Sequence, residues 1–144
     1  MKLIFILLLL QTHSLHAQSV EQIKEGIKKV YADACKELNA QLPIKVDEVT
    51  TLRSVIFLNW TCTSTYTVSL DFSDWGQEEI EEMLSDTKEN GKERVKAMIL
   101  RGKYNMPQSQ FRQFMKTTGI KWRMNYYDEN YNFIGTIIYD YKDF

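Results

Sequence analysis

Residues 61–70 constrain the fold more than any other stretch of this chain. Thr61, Thr63, Thr65, Thr67 and Ser69 occupy one parity; Cys62, Ser64, Tyr66, Val68 and Leu70 occupy the other. Successive side chains of a β-strand point to opposite faces, so parity assigns each residue to a face. A polar row opposite an apolar row describes a strand with one wet face and one face on a core. Such a strand cannot stand alone. It needs neighbours to pair with and a covering layer for its apolar row.

The neighbours can be read nearby. Leu52 to Trp60 is apolar on both parities, as a central strand would be, and a turn near Asn59 would join the two segments as a hairpin. Near the C-terminus, Ile120, Trp122, Met124 and Tyr126 alternate with Lys121, Arg123 and Asn125. A turn at Asp128-Glu129-Asn130 then leads to a last strand, Phe133 to Tyr141.

The covering layer is helical. Ser19 is a candidate N-cap for a helix to about Leu38, with Val20, Ile23, Ile27, Val30/Tyr31, Ala34 and Leu38 on one stripe. Glu25 and Lys29 are spaced to pair on its outer side. Asp74 and Gln77 resemble a capping box opening a helix to about Lys88, and Asn90-Gly91 marks a break. A second run carries Val95, Met98 and Ile99 and stops at Gly102. Pro107 starts another, with Phe111, Phe114 and Met115 inward, ending at Gly119. The expected fold is α+β: a four-stranded antiparallel sheet of two β-hairpins with helices packed on one face.

The N-terminus reads as an export signal. Lys2 precedes an unbroken apolar run, Leu3 to Leu10, and a polar stretch ends at Ala17. Such a run makes about 12 Å of helix, whereas a bilayer core needs about 30 Å, so a membrane anchor is excluded on length. Residues 1–17 are therefore expected to be a signal peptide, residues 18–144 a single domain, and the destination periplasmic or extracellular. Nothing later in the sequence is apolar for long enough to span a membrane.

In an oxidising compartment the two cysteines, Cys35 and Cys62, read as a disulfide. Closing that loop would stabilise the fold by about 3.5 kcal/mol. Two buried free thiols are the alternative. Both histidines, His13 and His16, fall in the signal. A domain without histidine has no Ser-His-Asp or Cys-His catalysis and no His-ligated zinc, so neither an enzyme nor a cofactor is expected.

Leu42-Pro43, Val46-Asp47, Thr51-Leu52, Ser54-Val55 and Tyr66-Thr67-Val68 form a pattern. Phe111 to Gly119, the Tyr-rich strand, Asp128 and Phe133-Ile134-Gly135 extend it. Together they resemble small exported bacterial α+β proteins of unknown function. The chain departs from that family at Asn105-Met106 and Phe144, where the family pattern has cysteines. The resemblance implies export and a small α+β fold, and it implies no chemistry.

The formal net charge is −1, which gives no general reason to bind nucleic acid or an anionic membrane. Charge is nonetheless segregated. Asp71 to Asp86 is acidic, as suits an exposed helix start, and Lys88 to Arg123 is basic. The C-terminal hairpin is dense in aromatic residues, and tyrosine and tryptophan favour contact surfaces. These features point to a non-catalytic exported domain that binds a macromolecular partner, another exported or envelope protein, as an inhibitor or immunity protein would. Trp122, Tyr127, Tyr131 and Tyr139 are the expected contacts. Two alternatives are a polysaccharide or small-ligand binder, and a carboxylate-dependent glycan hydrolase using Asp71 and Asp74.

Overall fold

The computed structural model describes residues 2–100 and 106–144, with side chains described from Glu21 onward. Among the described residues three helices and five strands follow in the order α1 (Lys2–Asn39), β1 (Ile44–Lys45), β2 (Thr50–Leu58), β3 (Thr61–Val68), α2 (Gln77–Ile99), α3 (Gln108–Thr118), β4 (Lys121–Asp128) and β5 (Phe133–Tyr139). The α+β class holds. The sheet, however, has five strands in the order β1-β2-β3-β4-β5, and it is mixed.

Both expected hairpins form. β2 and β3 join through a two-residue turn whose residues, Asn59 and Trp60, both have positive φ. β4 and β5 join through the Asp128–Asn132 turn, where the Asp128 carboxylate accepts hydrogen bonds from the N–H groups of Asn130 and Asn132. The junction between the hairpins differs from the expectation, because β3 and β4 run parallel. The two helices between them carry the chain back across the sheet, so β4 starts at the same end as β3. The fifth strand, β1, has only two residues and pairs with Thr51 and Leu52.

The apolar character of β2 on both parities has a local cause. The register shifts between Leu52 and Ser54, leaving Arg53 as the extra residue of a bulge. Leu52 and Val55, of opposite parity, therefore both enter the core, while Ile56 and Leu58 face out at 58% and 65% exposure. Arg53 reaches across to the Thr67 hydroxyl.

Cross-strand register places Cys62, Trp122 and Tyr139 in one row, Ser64, Met124 and Ile137 in the next, and Tyr66, Tyr126 and Gly135 in the third. All three helices cover this face. α1 contributes Tyr31 and Cys35, α2 contributes Val95 and Ile99, and α3 contributes Phe111 and Met115 to the same core. The opposite face carries the threonine row, with Thr61, Thr63 and Thr65 half-buried and Thr67 buried beside Arg53.

The helix boundaries refine the expected ones. α1 passes through Ser19 without interruption, so no cap forms there. Among the described residues its ion pairs are Lys28–Glu25 and Lys29–Asp33. α2 is capped by Gly76, whose N–H donates to the Glu79 carboxylate, and not by Asp74. It continues through Asn90-Gly91 without a break. The helix can do so because Gly91 is a packing glycine: a Cβ there would overlap the Tyr139 hydroxyl. The stop expected at Gly102 lies outside the described residues. Pro107 and Gly119 bound α3 as expected, with Gly119 left-handed at φ 73°. Among the described residues no helix is long and apolar enough to cross a membrane.

Candidate binding cleft

α2 crosses the covered face of the sheet and leans on β5. Two glycines allow the close approach. A Cβ at Gly135 would overlap the Leu84 side chain, and Gly91 stands against Tyr139. The Tyr139 hydroxyl donates to the Lys88 carbonyl at 2.9 Å, which ties the middle of the helix to the last strand. The N-terminal half of α2 stands away from β2 and β3, and an open trough of about 770 Å³ remains there. That volume lies in the usual range of ligand-binding clefts.

The trough is built from α2, strands of the sheet and two loops. Val46 and Val49 flank the β1–β2 turn, Val68 and Tyr66 come from β3, and Tyr126 comes from β4. The loop after β3 contributes Leu70 and Trp75, which are 42% and 38% exposed. α2 supplies Met83 and Thr87, with Glu79, Glu82, Asp86 and Arg94 along the same stripe.

The tyrosines and Asp47 of the trough are held in fixed states. Tyr66 and Tyr126 stack with ring centroids 5.2 Å apart. Burial pushes both phenols above the ordinary tyrosine range. Tyr139 is pushed up to about 12, again chiefly by burial. These hydroxyls are donors at any physiological pH, and none is poised as a base. The Asp47 carboxylate is partly desolvated, yet it is held below the ordinary range because its Oδ1 accepts the N–H groups of Val49 and Thr50.

Solved structures resemble the chain, among them two pilotins. One is the pilotin EpsS of the Vibrio vulnificus type 2 secretion system, at TM-score 0.55 and 12% identity, covering 83% of this chain and 93% of that one. The other is the type II secretion system pilotin AspS of Vibrio cholerae, at TM-score 0.49 and 8% identity, covering 88% and 99%. The likeness to the Vibrio vulnificus protein is one of fold. No protein-family model matches the chain, and no curated protein matches it.

The residues singled out from the sequence are divided by this fold. Trp122 and Tyr139 are core residues at 7% and 0% exposure, so neither presents a ring to a partner. Both lie on the covered parity of their strands. Trp122 keeps its Nε1 buried without a hydrogen-bond partner among the described residues. Tyr127 packs edge-on against Phe133, and Tyr131, at positive φ, stands 68% exposed. These last two remain at the surface.

Cys35 and Cys62 do meet, as the facing of β3 and α1 implied, but as thiols. Their sulfurs are 3.6 Å apart and both are buried. A disulfide requires about 2.05 Å, so the pair is unbonded here. The hydrogen bond to Cys35 and burial push the Cys62 thiol up, and the same bond lowers Cys35.

The candidate hydrolase carboxylates are not assembled. Asp71 lines a second hollow of about 640 Å³ and is engaged by the Ser73 N–H, while Asp74 lines neither hollow. Among the described residues no group of three or more His, Cys, Asp or Glu gathers as a metal site would need. Four bases of the basic segment are engaged internally. Lys88 pairs with Asp143 at 2.6 Å, Lys92 pairs with Glu89, and Lys96 and Lys116 lie over Phe111 and Tyr141. Arg101 and Lys103 lie outside the described residues. Sequence reasoning missed the trough because Val46, Val68 and Met83 carry no signal distinguishing a groove wall from a core residue.

Proposed function

We propose that this chain is an exported, non-catalytic binding module whose trough beneath α2 receives a segment of another exported or envelope protein. One observation carries the reading. The trough is open to solvent, and Val46, Val49, Val68, Leu70, Trp75 and Met83 give it an apolar wall. Such a groove suits an apolar side-chain row of a bound polypeptide. Export rests on the leader-like N-terminus, and the shared fold with a secretion-system pilotin accords with an envelope setting.

Photocrosslinking the full-length chain in native envelope extract tests this. A stoichiometric partner that is lost with Thr87→Trp, a substitution at an exposed position that fills the trough, is the expected result. Undiminished capture by the Thr87→Trp chain would place the contact elsewhere, with Tyr127 and Tyr131 the next surface to examine. Turnover of a glycan by the purified chain would overturn the non-catalytic reading.

A further inference from the structure

The wall that α2 gives to the trough has a charge order. Glu79, Glu82, Met83, Asp86, Thr87, Asn90 and Arg94 recur at steps of one, three and four and share one helical stripe. At 1.5 Å per residue the stripe runs about 22 Å from Glu79 to Arg94. Its acids occupy the N-terminal half and its single cation lies at the far end.

These charges are largely uncommitted. Glu82, Asp86 and Arg94 make no hydrogen bond and no ion pair among the described residues. Glu79 gives one oxygen to the Gly76 N–H. Asp47 is the acid whose field Arg94 shares, yet its Oδ1 is taken by the backbone of its own turn, and the pair is not in ion-pair contact. The guanidinium fork therefore keeps its donors for an incoming group, and a carboxylate matches that geometry.

Resting on the reading of the trough as a partner site, we propose that its occupant is an amphipathic polypeptide segment bound in one direction. Its apolar row lies on Val68, Leu70 and Met83. Lysine or arginine at one end faces Glu79, Glu82 and Asp86, and a carboxylate at the other end faces Arg94. A simple anionic amphiphile satisfies Arg94 but leaves three carboxylates facing its tail, so the charge order selects a segment with both signs.

A random twelve-residue peptide library displayed against the immobilised full-length chain tests this. Bound peptides are eluted, sequenced and re-measured against Thr87→Trp and Arg94→Glu. The expected binders are basic toward one end and acidic toward the other and are lost on Thr87→Trp. On Arg94→Glu they weaken roughly tenfold or more and recover when their acid is changed to lysine. Binders that need an open trough but show no charge order, or ignore Arg94→Glu, overturn the proposed direction and leave the partner-site reading standing. Binders that hold equally to Thr87→Trp, or no enriched binder at all, overturn both. Thr87 and Arg94 are exposed, so both variants keep the core intact.

Discussion

Asn39 closes the edge of the sheet at Val55. Its Nδ2 donates to the Val55 carbonyl, and its Oδ1 accepts the Val55 N–H at 2.9 Å. The amide of the last residue of α1 thus makes the two hydrogen bonds that a neighbouring strand would make, where β1 has already ended. Unpaired strand edges invite pairing with other chains, and this amide removes one such site.

Asn39→Ala should therefore lower stability by about 1–2 kcal/mol, from the loss of two hydrogen bonds to a backbone group. Urea unfolding followed by circular dichroism measures the change. Asn39→Asp keeps the acceptor but turns the donor into a charge facing a carbonyl, and should be no better than alanine. A wild-type midpoint for either variant would show that water replaces the amide without loss.

Gly91→Ala should destabilise despite alanine's better helix propensity. Propensity alone favours alanine by about 1 kcal/mol. The new Cβ, however, overlaps the Tyr139 hydroxyl and displaces it from the Lys88 carbonyl. A net loss of roughly 1–2 kcal/mol in thermal or urea unfolding is expected. In a Tyr139→Phe background the overlap disappears and the substitution should turn neutral or stabilising, which separates packing from propensity.

The two thiols should be unreactive in the folded, reduced protein and available to each other. Their sulfurs need to close by only about 1.5 Å to reach bonding distance. Incubation with oxidised glutathione, followed by alkylation in denaturant and intact-mass measurement, should give the unalkylated, bonded species. The bonded form should resist urea by about 2–4 kcal/mol more than the reduced form. Two alkylated thiols after oxidation would show that packing between α1 and β3 forbids the closure.

Stability should fall in strong alkali. Tyr139, fully buried, titrates near 12 in the folded protein, against an ordinary value near 10. The folded state thus holds this proton more tightly than the unfolded chain does. Its contribution is fully present below about pH 10 and is lost as pH rises through about 12. Tyr66, also pushed up by burial, acts in the same direction. Urea midpoints between pH 8 and 12 should decline over that window, and Tyr139→Phe should flatten part of the decline. An unchanged slope in that variant would assign the alkaline loss to other groups.

Local pattern determined a good deal of this protein. The parity of residues 61–70 placed Cys62 and Tyr66 inward and the threonines outward, because one buried face leaves a strand no freedom of register. Short turns at Asn59 and Asp128 made both hairpins legible. Pro107 and Gly119 bounded α3 for reasons of backbone geometry alone. Aromatic density in the last hairpin, by contrast, misled: Trp122 and Tyr139 sit on the covered parity with Met124 and Ile137, and parity outweighs the general tendency of these residues toward contact surfaces.

The rest was decided by contacts distant in sequence. An alternating strand is equally satisfied by a parallel or an antiparallel neighbour, so the pairing of β3 with β4 depended on how α2 and α3 returned the chain. Gly91 reads as a helix stop until Tyr139 is placed against it. The trough arises from where α2 leaves the sheet, a distance set by Gly91 and Gly135 on one side and by the absence of matching contacts on the other. Sequence determines the faces of each element because that is a matter of periodicity; the space between two faces belongs to the tertiary structure, where side chains far apart in the chain meet.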